Sequence, residues 1–162
     1  MIIRPEQPGD IKTIHALTQA AFADMPFSSG TEGPIIKALR EDGDLTLSLV
    51  AEENGEIVGH IAFSPVTIDG ESDGLFGLGP VCAHPERRGE GIGSALVREG
   101  LSRLGRAKAV VLIGDPGYYS RFGFEGDCGL TYGEVPARAV QALFLDGNRR
   151  AGAIRYSPGF NR

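Results

Sequence analysis

The fold of this chain is decided by the segment AHPERRGEGIGSALVREG, residues 83–100, in which arginines and closely spaced glycines precede an amphipathic run. Apolar residues at helical spacing predict a helix over residues 91–104. The first turn of a helix carries N–H groups without intrahelical acceptors, and the helix dipole adds partial positive charge there. Because glycine lets an anion approach the backbone closely, residues 88–94 predict a pyrophosphate site, with mobile positive charge from Arg87 and Arg88.

This glycine-rich turn differs from two common nucleotide-binding motifs. It lacks the G-K-[ST] of a P-loop. It has only the G-x-G part of the dinucleotide fingerprint, and helix continues where that motif requires a second strand. A structural interpretation also stays open at this point, in which the turn is a glycine-rich loop and the arginine pair is simply solvated.

Length and composition predict one globular domain over residues 1–162, because 41% of the residues are hydrophobic and 23% are charged. A domain of this size buries about 70% of its unfolded surface, so it needs no disulfide or metal for stability. The formal net charge of −5 argues against nucleic acid or an anionic membrane as the main partner. The chain has no apolar run of about 18 residues, so we expect no transmembrane helix.

The two cysteines, Cys82 and Cys128, do not have the spacing of a metal site, and we predict no bound metal. The beginning of the chain, MIIRPEQPGD, turns polar after its third residue and lacks the apolar core of a secretory signal. We therefore expect reduced thiols and a cytoplasmic protein.

The remaining patterns predict alternating strands and helices, with a hairpin at Asn54-Gly55 and a strand-rich C-terminal end. Asp10 is the predicted N-cap of the first helix. The mixture of hairpins and helices indicates a mixed-sheet α/β (α+β) fold. The predicted helices cover residues 11–22, 34–41, 91–104 and 115–123. The predicted strands cover residues 1–6, 45–49, 57–68, 75–83, 108–114, 124–132, 140–146 and 151–156.

Two segments, in this order and at this separation, resemble the GNAT superfamily of acetyl-CoA-dependent N-acetyltransferases. The family's [QR]-x-x-G-x-[GA] appears as RGEGIG, residues 88–93, after a strand that ends in GPVCAHP. The segment VVLIGDPGYYSRFGFE, residues 110–125, is similar to the family's fifth strand, next helix and closing Tyr-x-x-x-Gly-Phe. The resemblance spans roughly residues 1–145 and is strongest to a bacterial branch in which GDPxYYxRFGF recurs.

The resemblance implies a mixed, mostly antiparallel sheet that splays between strands 4 and 5 and is flanked by helices. It implies acetyl-CoA as co-substrate, with its pantetheine arm on the backbone of Val81, Cys82 and Ala83. Asp115 stands where many relatives have an asparagine that contacts the cofactor, which puts that contact in doubt. The residues whose backbone N–H groups would hold the pyrophosphate are Arg88, Gly89, Glu90, Gly91, Ile92, Gly93 and Ser94.

The implied reaction is direct transfer of acetyl from the thioester to an amine. By its place in the motif, Tyr119 is the candidate that protonates the leaving thiolate, since a phenol with a pKa of about 10 can donate to sulfur. The alternative is that Tyr119 is an aromatic core residue beside Phe122 and Phe124. We interpret Tyr118 as a packing or cofactor contact.

The general base is not identified by the sequence, and a water relay or a backbone carbonyl on strand 4 stays open for this role. Glu32 is expected in a loop near the substrate cleft and is more typical of a solvated carboxylate, whereas His60 and His84 are expected to be structural. An acyl-cysteine at Cys82 is disfavoured because no histidine or acid lies beside it in the sequence, and Cys128 is expected to be similarly inert.

The favoured function is an acetyl-CoA-dependent N-acetyltransferase whose amine acceptor, a small molecule or a protein, is unidentified. Two alternatives stay open. One is a non-catalytic module that binds acyl-CoA and signals to a partner. The other is an acyltransferase that uses another acyl-CoA donor or an O-acyl acceptor. The sequence carries no signal for an oligomeric state.

Overall fold

The computed structural model describes residues 1–26 and 28–161, and its elements follow the predicted order. No helix within these two ranges combines the length and the apolar character needed to cross a membrane. The helices are α1 (Ile11–Phe22), α2 (Glu32–Asp42), α3 (Ile92–Arg103) and α4 (Pro116–Tyr119). The strands are β1 (Ile2–Pro5), β2 (Leu47–Glu53), β3 (Glu56–Ile68), β4 (Leu75–Ala83), β5 (Ala109–Ile113), β6 (Leu130–Thr131), β7 (Val140–Phe144) and β8 (Gly152–Tyr156).

The strands form an open mixed sheet with the order β1-β2-β3-β4-β5-β7. Pairing along this path is antiparallel except between β4 and β5, which are parallel. The second half of β3 also pairs with β8, which in turn pairs with β6. The predicted fold class, a mixed and mostly antiparallel sheet flanked by helices, is therefore confirmed.

The sheet has a helical layer on each face, as the alternation of its strands requires. Leu49 and Ala51 of β2 point to the side where Leu96 of α3 packs, whereas Val50 points to the side of α1 and α2. All four of these side chains are completely buried. Burial of a leucine or valine contributes roughly 1.5–3 kcal/mol, so these two layers hold the sheet between them.

The predicted hairpin between β2 and β3 is confirmed. Asn54 and Gly55 both have positive φ values, 53° and 80°. This is the turn geometry that matches the twist of two paired strands and that asparagine and glycine adopt at least cost. The hairpin fixes the register in which Val50 lies opposite His60.

The sheet splays between β4 and β5. The two strands pair only from Leu75 opposite Ala109 to Gly77 opposite Val111. Beyond this point β4 still pairs with β3, as far as Ala83 opposite Gly59. Among the residues that the structure describes, no strand pairs with the other edge of β4 along its last residues, and a cleft opens at this end of the sheet.

Two local predictions were wrong, and a third was right only in position. Residues 124–132 do not form one strand, because Asp127 and Gly129 have left-handed backbones, with φ values of 51° and 93°, that interrupt an extended chain. Asp10 is the N-cap residue of α1, as predicted, but its side chain does not cap the helix, because its carboxylate accepts hydrogen bonds from Arg4 at 2.7 Å and from the Gln7 backbone N–H at 2.7 Å. Glu32 is the first residue of α2 and not a loop residue.

Gly100 controls how closely α3 approaches the sheet. A Cβ at this position would overlap the ring of Phe63, which is completely buried in β3. Alanine would favour the helix by about 1 kcal/mol over glycine, but overpacking a core costs about 1–3 kcal/mol. We expect Gly100→Ala to lower the free energy of unfolding, as measured in urea. Gly9→Ala, where nothing surrounds the new Cβ, is the control. Equal stability of the two variants would contradict the argument.

Candidate active site

A cavity of about 310 Å³ lies where β4 and β5 separate. Its walls come from four places that are distant in the sequence: the end of α1, the open edge of β4, the turn before α3, and α4. The lining residues are Ala21, Phe22, Met25, Val81, Cys82, Ala83, Arg88, Gly89, Gly93, Tyr118 and Tyr119.

The β4 wall presents backbone hydrogen-bonding groups to this cavity. The N–H of His84 donates to the carbonyl of Val58 in β3 at 2.8 Å. Because backbone groups alternate in direction along a strand, those of Cys82 also point toward β3, and those of Val81 and Ala83 point toward the open edge. An extended molecule in the cleft can therefore pair with Val81 and Ala83 as an additional strand would.

The start of α3 presents a second set of backbone donors. Gly91 precedes the helix with a φ of 83°, and the first intrahelical bond runs from the N–H of Ala95 to the carbonyl of Gly91 at 3.0 Å. The N–H groups of Ile92, Gly93 and Ser94 therefore have no acceptor within the helix. Together with the dipole of α3, they favour an anionic group at this end of the cavity.

The two arginines before this turn are not mobile charges, contrary to expectation. Arg87 bonds to the carboxylates of Glu90 at 2.8 Å and Glu53 at 3.0 Å, and these bonds raise its pKa. Arg88 donates to the carbonyl of Ala21 at 2.6 Å. Arg88 thus ties the turn to the C-terminal end of α1, and both side chains help to fix the shape of the turn.

The α4 wall carries two tyrosines. The hydroxyl groups of Tyr118 and Ser94 lie 3.0 Å apart, which links α4 to the first turn of α3. Tyr119 packs edge-on against Tyr118 and Phe124, with ring centroids 4.9 and 6.2 Å away. Burial, aided by Tyr118, raises the pKa of Tyr119 to about 12. The Tyr119 phenol is therefore protonated at neutral pH and can act as a donor.

The predicted cofactor residues divide into two groups. The residues that line the cavity together with Tyr119 are Val81, Cys82, Ala83, Arg88, Gly89 and Gly93. The predicted residues that do not line it are Glu90, Gly91, Ile92, Ser94 and Asp115. Ile92 is buried in the core beneath α3. The Asp115 carboxylate caps α4, because its Oδ1 accepts from the N–H of Gly117 at 2.9 Å.

Three lining residues, Ala21, Phe22 and Met25, were missed by the sequence reasoning. They lie at the end of α1 and just beyond it, far along the chain from the motifs. Phe22 belongs to the apolar pattern of α1 and carries no signal of its own. Only the packing of α1 against β4 brings these side chains to the cavity.

Neither cysteine has the character of a nucleophile. Cys82 is buried, its Sγ lies 3.9 Å from the Thr18 hydroxyl, and burial raises its pKa to about 11. Burial also raises the pKa of Cys128. Since the thiolate is the reactive form, this opposes an acyl-cysteine intermediate.

Two of the three histidines, His60 and His84, lie on or directly after strands of the sheet. His84 directly follows β4, and its Nδ1 accepts from the N–H of Glu86 at 3.2 Å, which holds the turn after the strand. His60 is completely buried in β3, where its Nε2 lies 2.7 Å from the Ser48 hydroxyl. No group of three or more His, Cys, Asp or Glu within residues 1–26 and 28–161 is arranged to hold a metal ion.

Comparison with known proteins identifies the family. The model of the acetyltransferase (GNAT) domain matches residues 2–126. The N-acetyltransferase YhbS of Escherichia coli K12 is 44% identical over 171 aligned positions, which cover 100% of this chain and 99% of YhbS. A crystal structure of YhbS from Escherichia coli in complex with CoA has a TM-score of 0.90 at 38% identity, over 99% of this chain and 92% of that one.

A second solved structure is similar over nearly its whole length. The GNAT family acetyltransferase of Brucella melitensis in complex with acetyl-CoA has a TM-score of 0.88 at 45% identity, over 98% of this chain and 97% of that one. The splayed sheet, the glycine-rich turn before α3 and the matched sequence thus agree with one another. The chain belongs to the GNAT family and is an acetyltransferase.

Proposed function

We propose that this protein transfers an acetyl group directly from acetyl-CoA to an amine, with the cavity between β4 and β5 as the active site. One observation carries the proposal: the open edge of β4, the start of α3 at Gly93, and Tyr119 line one cavity. The two similar solved structures support it, because one was determined with acetyl-CoA and the other with CoA.

The proposed cofactor contacts follow the chemistry of each wall. The amides of the pantetheine arm pair with the backbone of Val81 and Ala83, and the Cys82 side chain forms part of the wall beside them. The pyrophosphate accepts from N–H groups of the turn and of the first turn of α3. The full set of proposed cofactor contacts is Val81, Cys82, Ala83, Arg88, Gly89, Glu90, Gly91, Ile92, Gly93, Ser94 and Asp115.

The proposed role of Tyr119 is to donate a proton or a hydrogen bond to the CoA sulfur as the thioester bond breaks. A donor serves this purpose only while it is protonated, and the raised pKa of Tyr119, about 12, supports that state. The remaining contribution comes from positioning. Holding the amine in line with the thioester removes much of the entropic barrier to a reaction between two molecules.

The test combines binding and turnover. Acetyl-CoA binding is measured by calorimetry, and thiol release is then followed with spermidine, glucosamine, L-lysine and an alanine-terminated peptide as acceptors. We expect binding, turnover with at least one amine, and an N-acetylated product in the mass spectrum. Binding without turnover of any amine would instead favour the acyl-CoA sensor. Faster turnover with succinyl-CoA or an O-acetylated product would contradict the proposed donor or acceptor class.

A further inference from the structure

A row of polar side chains crosses four neighbouring strands on the face covered by α1 and α2. Its members are Glu6, which follows β1, Ser48 of β2, His60 of β3 and Cys82 of β4. Ser48, His60 and Cys82 are buried, and the Glu6 side chain is 18% exposed. Such a row is unusual beneath two helices, because buried polar groups are unfavourable unless they are hydrogen-bonded.

Three of these side chains form one hydrogen-bonded chain. Arg40 of α2 holds the Glu6 carboxylate with two bonds of 2.9 and 3.0 Å. The Ser48 hydroxyl donates to Glu6, and its oxygen lies 2.7 Å from Nε2 of His60. The Nδ1 of His60 has no hydrogen-bond partner among the described residues.

The direction of the chain fixes the tautomer of His60. Burial raises the pKa of Glu6, but hydrogen bonds from Arg40 and Ser48 outweigh this effect and hold the pKa below its usual range. Glu6 is therefore an acceptor only, and the single proton of the Ser48 hydroxyl is donated to it. The Ser48 oxygen must then accept from Nε2–H of His60. The unpartnered Nδ1 consequently carries a lone pair, which makes it a proton acceptor.

The inner end of the chain lies beside the active-site cavity. His60 is directly opposite Cys82 in the pairing of β3 and β4, so their side chains share one face of the sheet. Cys82 itself lines the cavity. Neighbouring strands lie about 4.8 Å apart between their backbones, so His60 is one strand away from the cavity wall. A route from the cavity to Nδ1 of His60 therefore requires one bridging water molecule beside the Cys82 side chain.

The outer end of the chain reaches a second cavity. This cavity has a volume of about 340 Å³ and opens beyond the end of β1, on the other side of β3. Glu6, Arg40 and Ser48 are among the residues that line it. The hydrogen-bonded chain therefore runs from His60, one strand away from the active-site cavity, to a second cavity where the Glu6 carboxylate meets solvent.

We infer that Glu6, Ser48 and His60 form the exit route for the proton that the acceptor amine releases. This inference rests on the proposed function. The acceptor ammonium loses one N–H proton to a bridging water, which gives a proton to Nδ1 of His60. The Nε2 proton moves to Ser48, the Ser48 proton moves to Glu6, and Glu6 releases it to water in the second cavity. One proton leaves the active site, and the amine keeps the electron pair that attacks the thioester.

The charged and titratable groups around His60 are compatible with this role. Burial lowers the pKa of His60 to about 4; the charge of Glu6 raises this pKa, and the charge of Arg40 on α2 lowers it. From β4 it faces the thiol of Cys82, which is protonated, and α1 contributes the uncharged Thr18 beside that thiol. His60 is therefore neutral at neutral pH and carries a proton only during transfer.

The test compares Ser48→Ala and Glu6→Gln with Ser64→Ala. Ser64 is a completely buried serine on β3, and its hydroxyl has no partner among the described residues. It is therefore a matched control that does not belong to the hydrogen-bonded chain. The rate is measured from pH 6 to 10 with acetyl-CoA and whichever amine of the panel has the highest kcat/KM. Acetyl-CoA affinity and Tm are measured for every variant.

We expect Ser48→Ala and Glu6→Gln to lower kcat about 10-fold or more at neutral pH, with unchanged acetyl-CoA affinity. The loss should shrink as the pH approaches the pKa of the acceptor, because the amine then arrives without its extra proton. Ser64→Ala should follow the wild-type profile. A lower Tm with a pH profile parallel to wild type would mean that the chain is only structural, and would overturn the inference. The inference would also be overturned if Ser48→Ala and Glu6→Gln had the same kcat as the wild type. Absence of wild-type turnover would contradict the proposed function and the exit route together.

Discussion

Tyr119→Phe should lower kcat by about 10²- to 10⁴-fold and leave the affinity for acetyl-CoA almost unchanged. The substitution removes one hydroxyl group and keeps the ring that packs against Tyr118 and Phe124. Loss of the donor leaves the CoA thiolate without stabilisation in the transition state. Steady-state kinetics with acetyl-CoA and the best amine of the panel measure kcat, and calorimetry measures binding.

Tyr118→Phe is the matched control for this experiment. It removes the hydroxyl 3.0 Å from that of Ser94, so we expect a weaker hold on the cofactor, seen in KM, and a much smaller change in kcat. Because the pKa of Tyr119 is about 12, its ionisation should cause no loss of wild-type activity up to pH 10. Equal kcat for Tyr119→Phe and wild type would remove Tyr119 from the mechanism.

Gly91→Glu should abolish stabilisation of the protein by acetyl-CoA. At 100 times its Kd, a ligand adds about 2.7 kcal/mol to the free energy of unfolding. For a domain of this size that corresponds to a rise in Tm of roughly 5–11 °C. A glutamate before α3 places a negative charge beside the N–H groups proposed to hold the pyrophosphate. Scanning calorimetry with and without acetyl-CoA measures the effect.

Gly55→Glu separates this effect from backbone strain. Gly55 and Gly91 have similar φ values, 80° and 83°, and neither has atoms near an added Cβ. A left-handed backbone costs a non-glycine residue about 1–2 kcal/mol, so both variants should lose similar stability without ligand. Only Gly55→Glu should retain the full rise in Tm with acetyl-CoA. A similar rise in Gly91→Glu would show that the turn does not bind the cofactor.

The sequence predicts those parts of the fold that depend on local geometry. Asn54 and Gly55 specify the β2–β3 hairpin, and Gly43 ends α2 with a left-handed backbone, which glycine adopts at least cost. Residues 124–132 look like a strand by composition, but Asp127 adopts a positive φ that its identity alone does not dictate. Asp10 looks like a helix cap, but pairing with Arg4 from β1 takes its carboxylate away. Both failures come from contacts or conformations that no local pattern contains.

In the candidate site, too, local motifs mark some residues, whereas others are brought there only by long-range packing. The glycine-rich turn and Tyr119 are marked by motifs, and the structure places them at one cavity. Phe22 and Met25 could not be found, because α1 reaches the cavity only through its packing on β4. His60 is buried in β3, as a structural histidine would be, but its link to Ser48 of β2 and to Glu6 after β1 follows from strand pairing, which no sequence spacing shows.

The splay of the sheet also affects how the protein avoids self-association. An unpaired strand edge is normally a template on which a second chain can assemble. Here the unpaired edge at Val81 and Ala83 lies at the bottom of a cleft walled by Phe22 and Tyr119. A polypeptide strand at this edge would have to place its alternating side chains against these walls, whereas the pantetheine arm carries few branches. The walls of the cleft thus restrict which molecules can pair with this strand edge, and they lower the risk that a second chain assembles on it.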